Sequence, residues 1–145
     1  MKLLFVIHEK YKEPELHICS DKKSREICDI RDLLEKMLCT QITAYREQEV
    51  KTLPAFEIVR IYSEKKKVFA RTAGETYEVR DRLYRLEEIF CDKGFVRISN
   101  SEIVNLSQID RFDMGYTGTI RVYLKNGDET YVSRRYVAKI KEVLG

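Results

Sequence analysis

Phe95-Val96-Arg97-Ile98-Ser99-Asn100-Ser101-Glu102-Ile103-Val104-Asn105 is a run in which apolar anchors alternate irregularly with short polar and guanidinium side chains. Phe95, Ile98, Ile103 and Val104 suit a core, which leaves Arg97, Ser99, Asn100, Ser101 and Asn105 for display on a loop held by that core. The stretch Tyr131-Val132-Ser133-Arg134-Arg135-Tyr136-Val137 has the same mixture. Small hydroxyl and amide groups hydrogen-bond phosphate oxygens or base edges, and Arg135 supplies a forked donor suited to phosphate or to guanine. The two stretches predict a surface made for a polyanion, and DNA fits it.

Outward from these runs the pattern is one of short strands. Residues 56–62, 67–72, 76–80, 110–114, 119–125 and 129–132 read as strands, with Ala73-Gly74 and Asn126-Gly127 at hairpin turns. A helix is expected after Asp81, with Leu83, Leu86, Ile89 and Phe90 on one side, and another from Ser133 that buries Tyr136, Val137 and Ile140 and stops at Gly145. Towards the N-terminus, residues 2–8 and 15–19 read as strands around a polar break with Pro14. Helical spacing then takes over at Ile27, Ile30, Leu33, Leu34, Met37 and Leu38, with Ser20 or Asp21 as its cap. Residues 1–53 therefore read as a small ββα unit followed by a strand, and Pro54 marks the seam with residues 54–145.

Composition bounds the class. Of 145 residues 43% are hydrophobic, enough for a core, while 35% are charged with mixed sign, which argues for a solvated globular surface rather than disorder. The net charge of +3 is small, but residues 1–53 hold ten basic and ten acidic side chains, so the whole surplus lies in residues 54–145. Cys19, Cys28, Cys39 and Cys91 are too widely spaced for a zinc or redox motif. The apolar stretch Leu3-Leu4-Phe5-Val6-Ile7 is too short for a secretory core or a membrane span. A cytoplasmic, reducing location is expected, with all four cysteines free and acting as small buried or half-buried apolar residues.

With these elements in place, residues 56–145 resemble the LytTR family of bacterial DNA-binding domains. The resemblance rests on Ile58-Val59-Arg60-Ile61-Tyr62 with Lys67-Val68-Phe69-Ala70, on Leu83-Tyr84-Arg85-Leu86-Glu87-Glu88-Ile89, on the run from Phe95 to Asn105, on Val122-Tyr123-Leu124-Lys125-Asn126-Gly127, and on Ser133-Arg134-Arg135-Tyr136-Val137. It implies an α+β fold of predominantly antiparallel strands with short helices, whose loops rather than a recognition helix enter successive major grooves. Carried over by position, it implies DNA contacts from Lys65, Lys66 and Lys67, with Lys66 nearest the bases; from Asn100 with Arg97 and Ser101; and from Arg135 with Arg134. Tyr62 departs from the family pattern, which often has an acidic residue there. Residues 1–53 are too few for the receiver domain many members carry, so phosphorelay control is not expected. The layout resembles stand-alone regulators, which implies a homodimer on direct repeats of bent double-stranded DNA and a small membrane protein as regulatory partner.

Each position also has a plainer reading. The three lysines alone would be a solvated hairpin turn, and even as contacts one or two would touch only phosphate. Asn100 either satisfies its own turn or offers its amide to a base edge, and Ser101 either caps a turn or meets a phosphate. Asn105 is expected to serve the turn. Two arginines at a helix start oppose the macrodipole, which makes sense where an anion is bound. His8 and His17 are expected to be structural strand residues. No nucleophile elbow, metal cluster or glycine-rich phosphate loop is present, so neither enzyme activity nor a cofactor is expected. Two rival functions remain: a protein-interaction module whose N-terminal unit docks an inhibitory partner, and a small ligand-binding domain, which would need a deep polar pocket.

Overall fold

The computed structural model describes residues 4, 6–12, 14–115 and 118–145, with the side chains of residues 36, 37 and 39 outside the description. Helix α1 (Arg25–Cys39) begins at Ser24, whose Oγ accepts from the Ile27 amide at 3.3 Å. The cap lies beyond the expected Ser20 or Asp21 because Ser20 is spent on its own turn, donating to the Lys22 carbonyl at 2.9 Å. Ile27, Ile30 and Leu34 are half-buried, while Leu33 and Leu38 are 55% and 59% exposed.

Strands β1 (Gln41–Arg46) and β2 (Glu49–Pro54) form a hairpin in register from Gln41↔Pro54 to Arg46↔Glu49. Then come β3 (Arg60–Glu64), β4 (Lys67–Arg71), β5 (Thr76–Val79), helix α2 (Leu83–Phe90), β6 (Phe95–Ser99) and β7 (Glu102–Asn105). These seven strands make one antiparallel sheet in the order β2-β1-β5-β4-β3-β7-β6. Strands β8 (Ile109–Asp113), β9 (Ile120–Leu124) and β10 (Glu129–Val132) make a second sheet in the order β10-β9-β8. A 3-10 turn at Arg134–Tyr136 then leads into α3 (Val137–Leu144). Asn126-Gly127 does lie between β9 and β10, but in a loop wider than a two-residue turn, closed by the Leu124 amide on the Asp128 carbonyl at 2.9 Å.

All four residues of β7 are buried because the strand is covered on both sides. Ile103 joins Phe95, Leu83, Leu86 and Phe90 in the core beneath α2, where the Phe90 and Phe95 rings lie 4.7 Å apart. Val104 faces the other way and joins Val96, Ile98, Ile120, Val122, Leu124, Val132 and Ile140 in the core between the two sheets. Asn105 is not displayed on a loop, contrary to expectation. It is 4% exposed, donates to the Ile58 carbonyl at 2.9 Å and accepts from the Ser107 amide at 3.1 Å, and so serves the turn from inside.

A polar cluster ties the sheets together. Arg60 Nη1 donates to Glu102 Oε1 at 2.8 Å, the other Glu102 oxygen accepts from the Thr130 hydroxyl at 2.6 Å, and Asp128 accepts from Arg71 Nε at 3.2 Å. Arg60 Nε lies 3.3 Å from Asp128 Oδ2, yet it is misaligned for a hydrogen bond, so that contact is one of charge alone. Burial acts to raise the Asp128 pKa, but the hydrogen bonds from Arg71 and Asn126 and the charges of Arg60 and Arg71 prevail and hold its carboxyl below the usual range.

The N-terminal expectations fare differently from the rest. The expected strand at 2–8 falls partly outside the described residues, and residues 14–20 form no strand. Their alternating pattern suits pairing, but no strand among the described residues takes them up, so within residues 1–53 the described regular elements are α1, β1 and β2. His8 and His17 are exposed outside any strand, with His17 Nε2 2.8 Å from Glu15 Oε2. Cys28 is half-buried as expected, whereas Cys19 and Cys91 are exposed, and all three are free thiols. Pro54, the expected seam, closes β2, which continues the main sheet.

Candidate nucleic-acid interface

The β3–β4 connection is a two-residue turn at Lys65-Lys66, flanked by the pair Glu64↔Lys67. Both lysines have left-handed backbone, with φ of 49° and 65°, the arrangement of a type I′ hairpin that Asn-Gly would fill with less strain. Lys67 belongs to β4 rather than to the turn, and its Nζ is paired with Glu78 Oε2 at 2.9 Å.

The second turn, Asn100-Ser101, joins β6 to β7 and lies beside the first. Strand β3 pairs with β7 at Tyr62↔Glu102, and the Ser63 amide donates to the Ser101 carbonyl at 2.8 Å. Register slips between Arg97 and Ser99, and such a bulge re-aims the side chains that follow. Ser99 Oγ accepts from the Ser101 amide at 3.2 Å, which tightens the turn, while Asn100 and Ser101 stay exposed.

The third element arrives through β10. The Ser133 amide donates to the Ile98 carbonyl at 2.9 Å, which seats the 3-10 turn against β6, and the Tyr136 hydroxyl reaches Asn100 Oδ1 at 3.2 Å. Ser133 makes no side-chain cap on this turn, and the Tyr136 amide donates to the Ser133 carbonyl at 2.8 Å. Arg134 and Arg135 are exposed. The three turns therefore meet at one end of the strands, and among the described residues Lys65, Lys66, Arg134 and Arg135 are held in no ion pair.

Arg97 is a different case from its neighbours. Its side chain is only 11% exposed and its guanidinium is occupied by Glu87 Oε2 at 2.8 Å and by the carbonyls of Ser99 and Asn100, each at 2.6 Å. Tyr136 was missed as part of the site, because its helical spacing marked it for the core and no local signal links it to Asn100 across that distance in sequence. Tyr62, where the chain departs from the family pattern, stacks on Phe69 at 5.6 Å and lies under Arg60 at 4.7 Å. The more enclosed of two described depressions, about 240 Å³ between α2, β6 and α3, has Glu87, Arg97 and Lys139 in its wall, already engaged with one another.

A family model for the LytTr DNA-binding domain matches residues 48–145, more than half of the chain. The protein belongs to the LytTR family. The family is one of DNA-binding domains and not of enzymes. An uncharacterized HTH-type transcriptional regulator of Staphylococcus aureus strain MSSA476 is 32% identical to this LytTR protein over 145 residues, covering 99% of this chain and 98% of the relative. The corresponding protein of strain NCTC 8325 is 31% identical with the same coverage. Among solved structures, the LytTr DNA-binding domain of a Bacillus cereus protein matches with a TM-score of 0.70 at 21% identity, over 73% of this chain and 97% of that one, and shows the fold. The "HTH" in the relatives' names has no counterpart in this LytTR fold among the described residues, since five strands separate α2 from α3. Among the described residues no helix is long and apolar enough to cross a membrane.

Proposed function

We propose that this chain is a sequence-specific transcriptional regulator that grips double-stranded DNA with turns rather than with a recognition helix. The observation that supports the reading is the common edge at which Lys65-Lys66, Asn100-Ser101 and Arg134-Arg135 meet, held there by the Ser63–Ser101, Ser133–Ile98 and Tyr136–Asn100 hydrogen bonds. Lys66, Asn100 and Arg135 read bases in successive major grooves. Lys65, Ser101 and Arg134 meet phosphates, with Lys67 a weaker contributor because Glu78 already pairs with it. Two copies on direct repeats, with bending of the duplex, complete the assembly in the cytoplasm. The test is selection from a pool of randomised duplexes, with footprinting on the DNA upstream of the protein's own gene. A recurring motif in direct-repeat spacing is expected, and enrichment of no motif at all overturns the reading.

Residues 1–53 carry a complementary role in self-association or in docking an inhibitory partner such as a small membrane protein. The observation favouring it is the apolar stripe of α1, where Leu33 and Leu38 face solvent and no described side chain is fully buried. Replacing both by Glu is expected to reduce the sedimentation coefficient of the free protein to that of a monomer while binding to a single half-site persists. An unchanged sedimentation profile removes self-association through this stripe.

A further inference from the structure

The Ser99–Ser101 turn is held by more than a hairpin needs. Arg97 folds back along its own strand at the bulge and caps two successive carbonyls of that turn, Ser99 through Nε and Asn100 through Nη2, both at 2.6 Å. Its remaining edge is fixed by Glu87 at 2.8 Å, from α2. That anchor is stiff, because Leu83, Leu86 and Phe90 bury the same helix in the core. Lys139 of α3 lies 3.7 Å from the other Glu87 oxygen, and the Tyr136 hydroxyl holds Asn100 by its amide oxygen.

We propose that Arg97, anchored on Glu87, is a positioning residue that fixes the Asn100 turn for base reading and does not itself touch DNA. The inference rests on the reading that this turn meets DNA. The reason lies in the guanidinium's engagements: to reach a phosphate Arg97 would surrender three charge-assisted hydrogen bonds in a mostly buried setting. A loose turn can still find a phosphate, whose oxygens accept from many directions, but a base edge demands a fixed amide. Losing the clamp therefore removes selectivity before it removes affinity. Lysine cannot replace the arginine, because a single ammonium does not span the planar fork.

The experiment titrates full-length wild type, Arg97→Lys, Glu87→Gln and Lys65→Ala against a duplex selected by the wild-type protein and against its scrambled counterpart, over a range of salt concentrations. Arg97→Lys is expected to weaken the selected duplex about tenfold and to leave the scrambled one nearly unchanged. Glu87→Gln shifts selectivity in the same direction by less, and the double variant is less than additive. Lys65→Ala, the phosphate-contact reference, weakens both duplexes alike and lowers the salt slope by about one. An equal loss on both duplexes with Arg97→Lys makes Arg97 a phosphate contact and overturns the proposal, as does unaltered selectivity in a folded variant. If Arg97→Lys melts below the assay temperature, Glu87→Gln decides by the same criteria. A wild type that does not distinguish the two duplexes fails the DNA reading itself, which is a separate outcome.

Discussion

Arg135 is the residue on which base reading tests most directly. It is exposed at the start of a 3-10 turn with no side-chain cap, and no carboxylate neutralises it among the described residues. Arg135→Ala is expected to cost about 1–3 kcal/mol on the cognate site and to relax one base preference. A fluorescence-anisotropy titration with single-base variants of that site checks both parts, and equal affinity of mutant and wild type would count against the assignment. Composition and position made Arg135, Asn100 and Lys66 legible as candidates. The same reading put Arg97 beside them, because sequence shows a guanidinium but not what is bonded to it. Glu87 lies ten residues away on a helix, and the bulge that lets Arg97 turn back leaves no mark in the sequence.

At the scale of the element, the β3–β4 hairpin sets stability against function. Two lysines occupy left-handed positions that a β-carbon makes costly, at about 1 kcal/mol each. Replacing Lys65-Lys66 by Asn-Gly should raise the thermal midpoint, gaining about 1 kcal/mol of stability, while weakening DNA binding and reducing its salt dependence. Calorimetry and titration of one variant measure both effects, and a variant that gained stability without losing affinity would show the lysines to be passengers. The hairpins were legible because alternation and turn residues announce them locally, and α2 because its apolar spacing is helical. The strand expected at 15–19 shows the limit of such patterns. Alternation says that a segment suits a sheet, but a strand needs a neighbour, and none of the described residues offers one there.

For the whole molecule the question is what keeps the turns of two sheets at one edge. Apolar packing around Val104 and Val122 brings the sheets together, and the Arg60–Glu102–Asp128–Arg71 cluster fixes their register. Asp128→Asn keeps the shape but removes the charge facing two guanidinium groups, and is expected to cost about 2 kcal/mol in urea unfolding at neutral pH. The sign of the pH effect follows from the lowered carboxyl pKa. The Asp128 contribution is complete above the unfolded-state value of about 3.9 and fades as pH falls through the lower folded value. Wild type and Asp128→Asn should therefore converge in stability on acidification, and a gap that persists in strong acid would refute the ionic account. The pairing of these four residues was not legible in the sequence, since their spacing along the chain carries no local pattern.

One edge strand of the large sheet, β2, has a margin with no neighbour among the described residues, where Glu49, Val50, Lys51 and Thr52 are exposed. An open strand of this kind is a template for sheet-to-sheet polymerisation. Here the ammonium of Lys51 and the missing amide hydrogen of Pro54 discourage the next strand from adding. Lys51→Val would leave an uncharged, β-favouring run from Val50 to Leu53 along that margin, and thioflavin fluorescence should then grow on prolonged incubation where the parent protein stays clear. Copies of the chain crowded together are in this way kept from zipping into filaments.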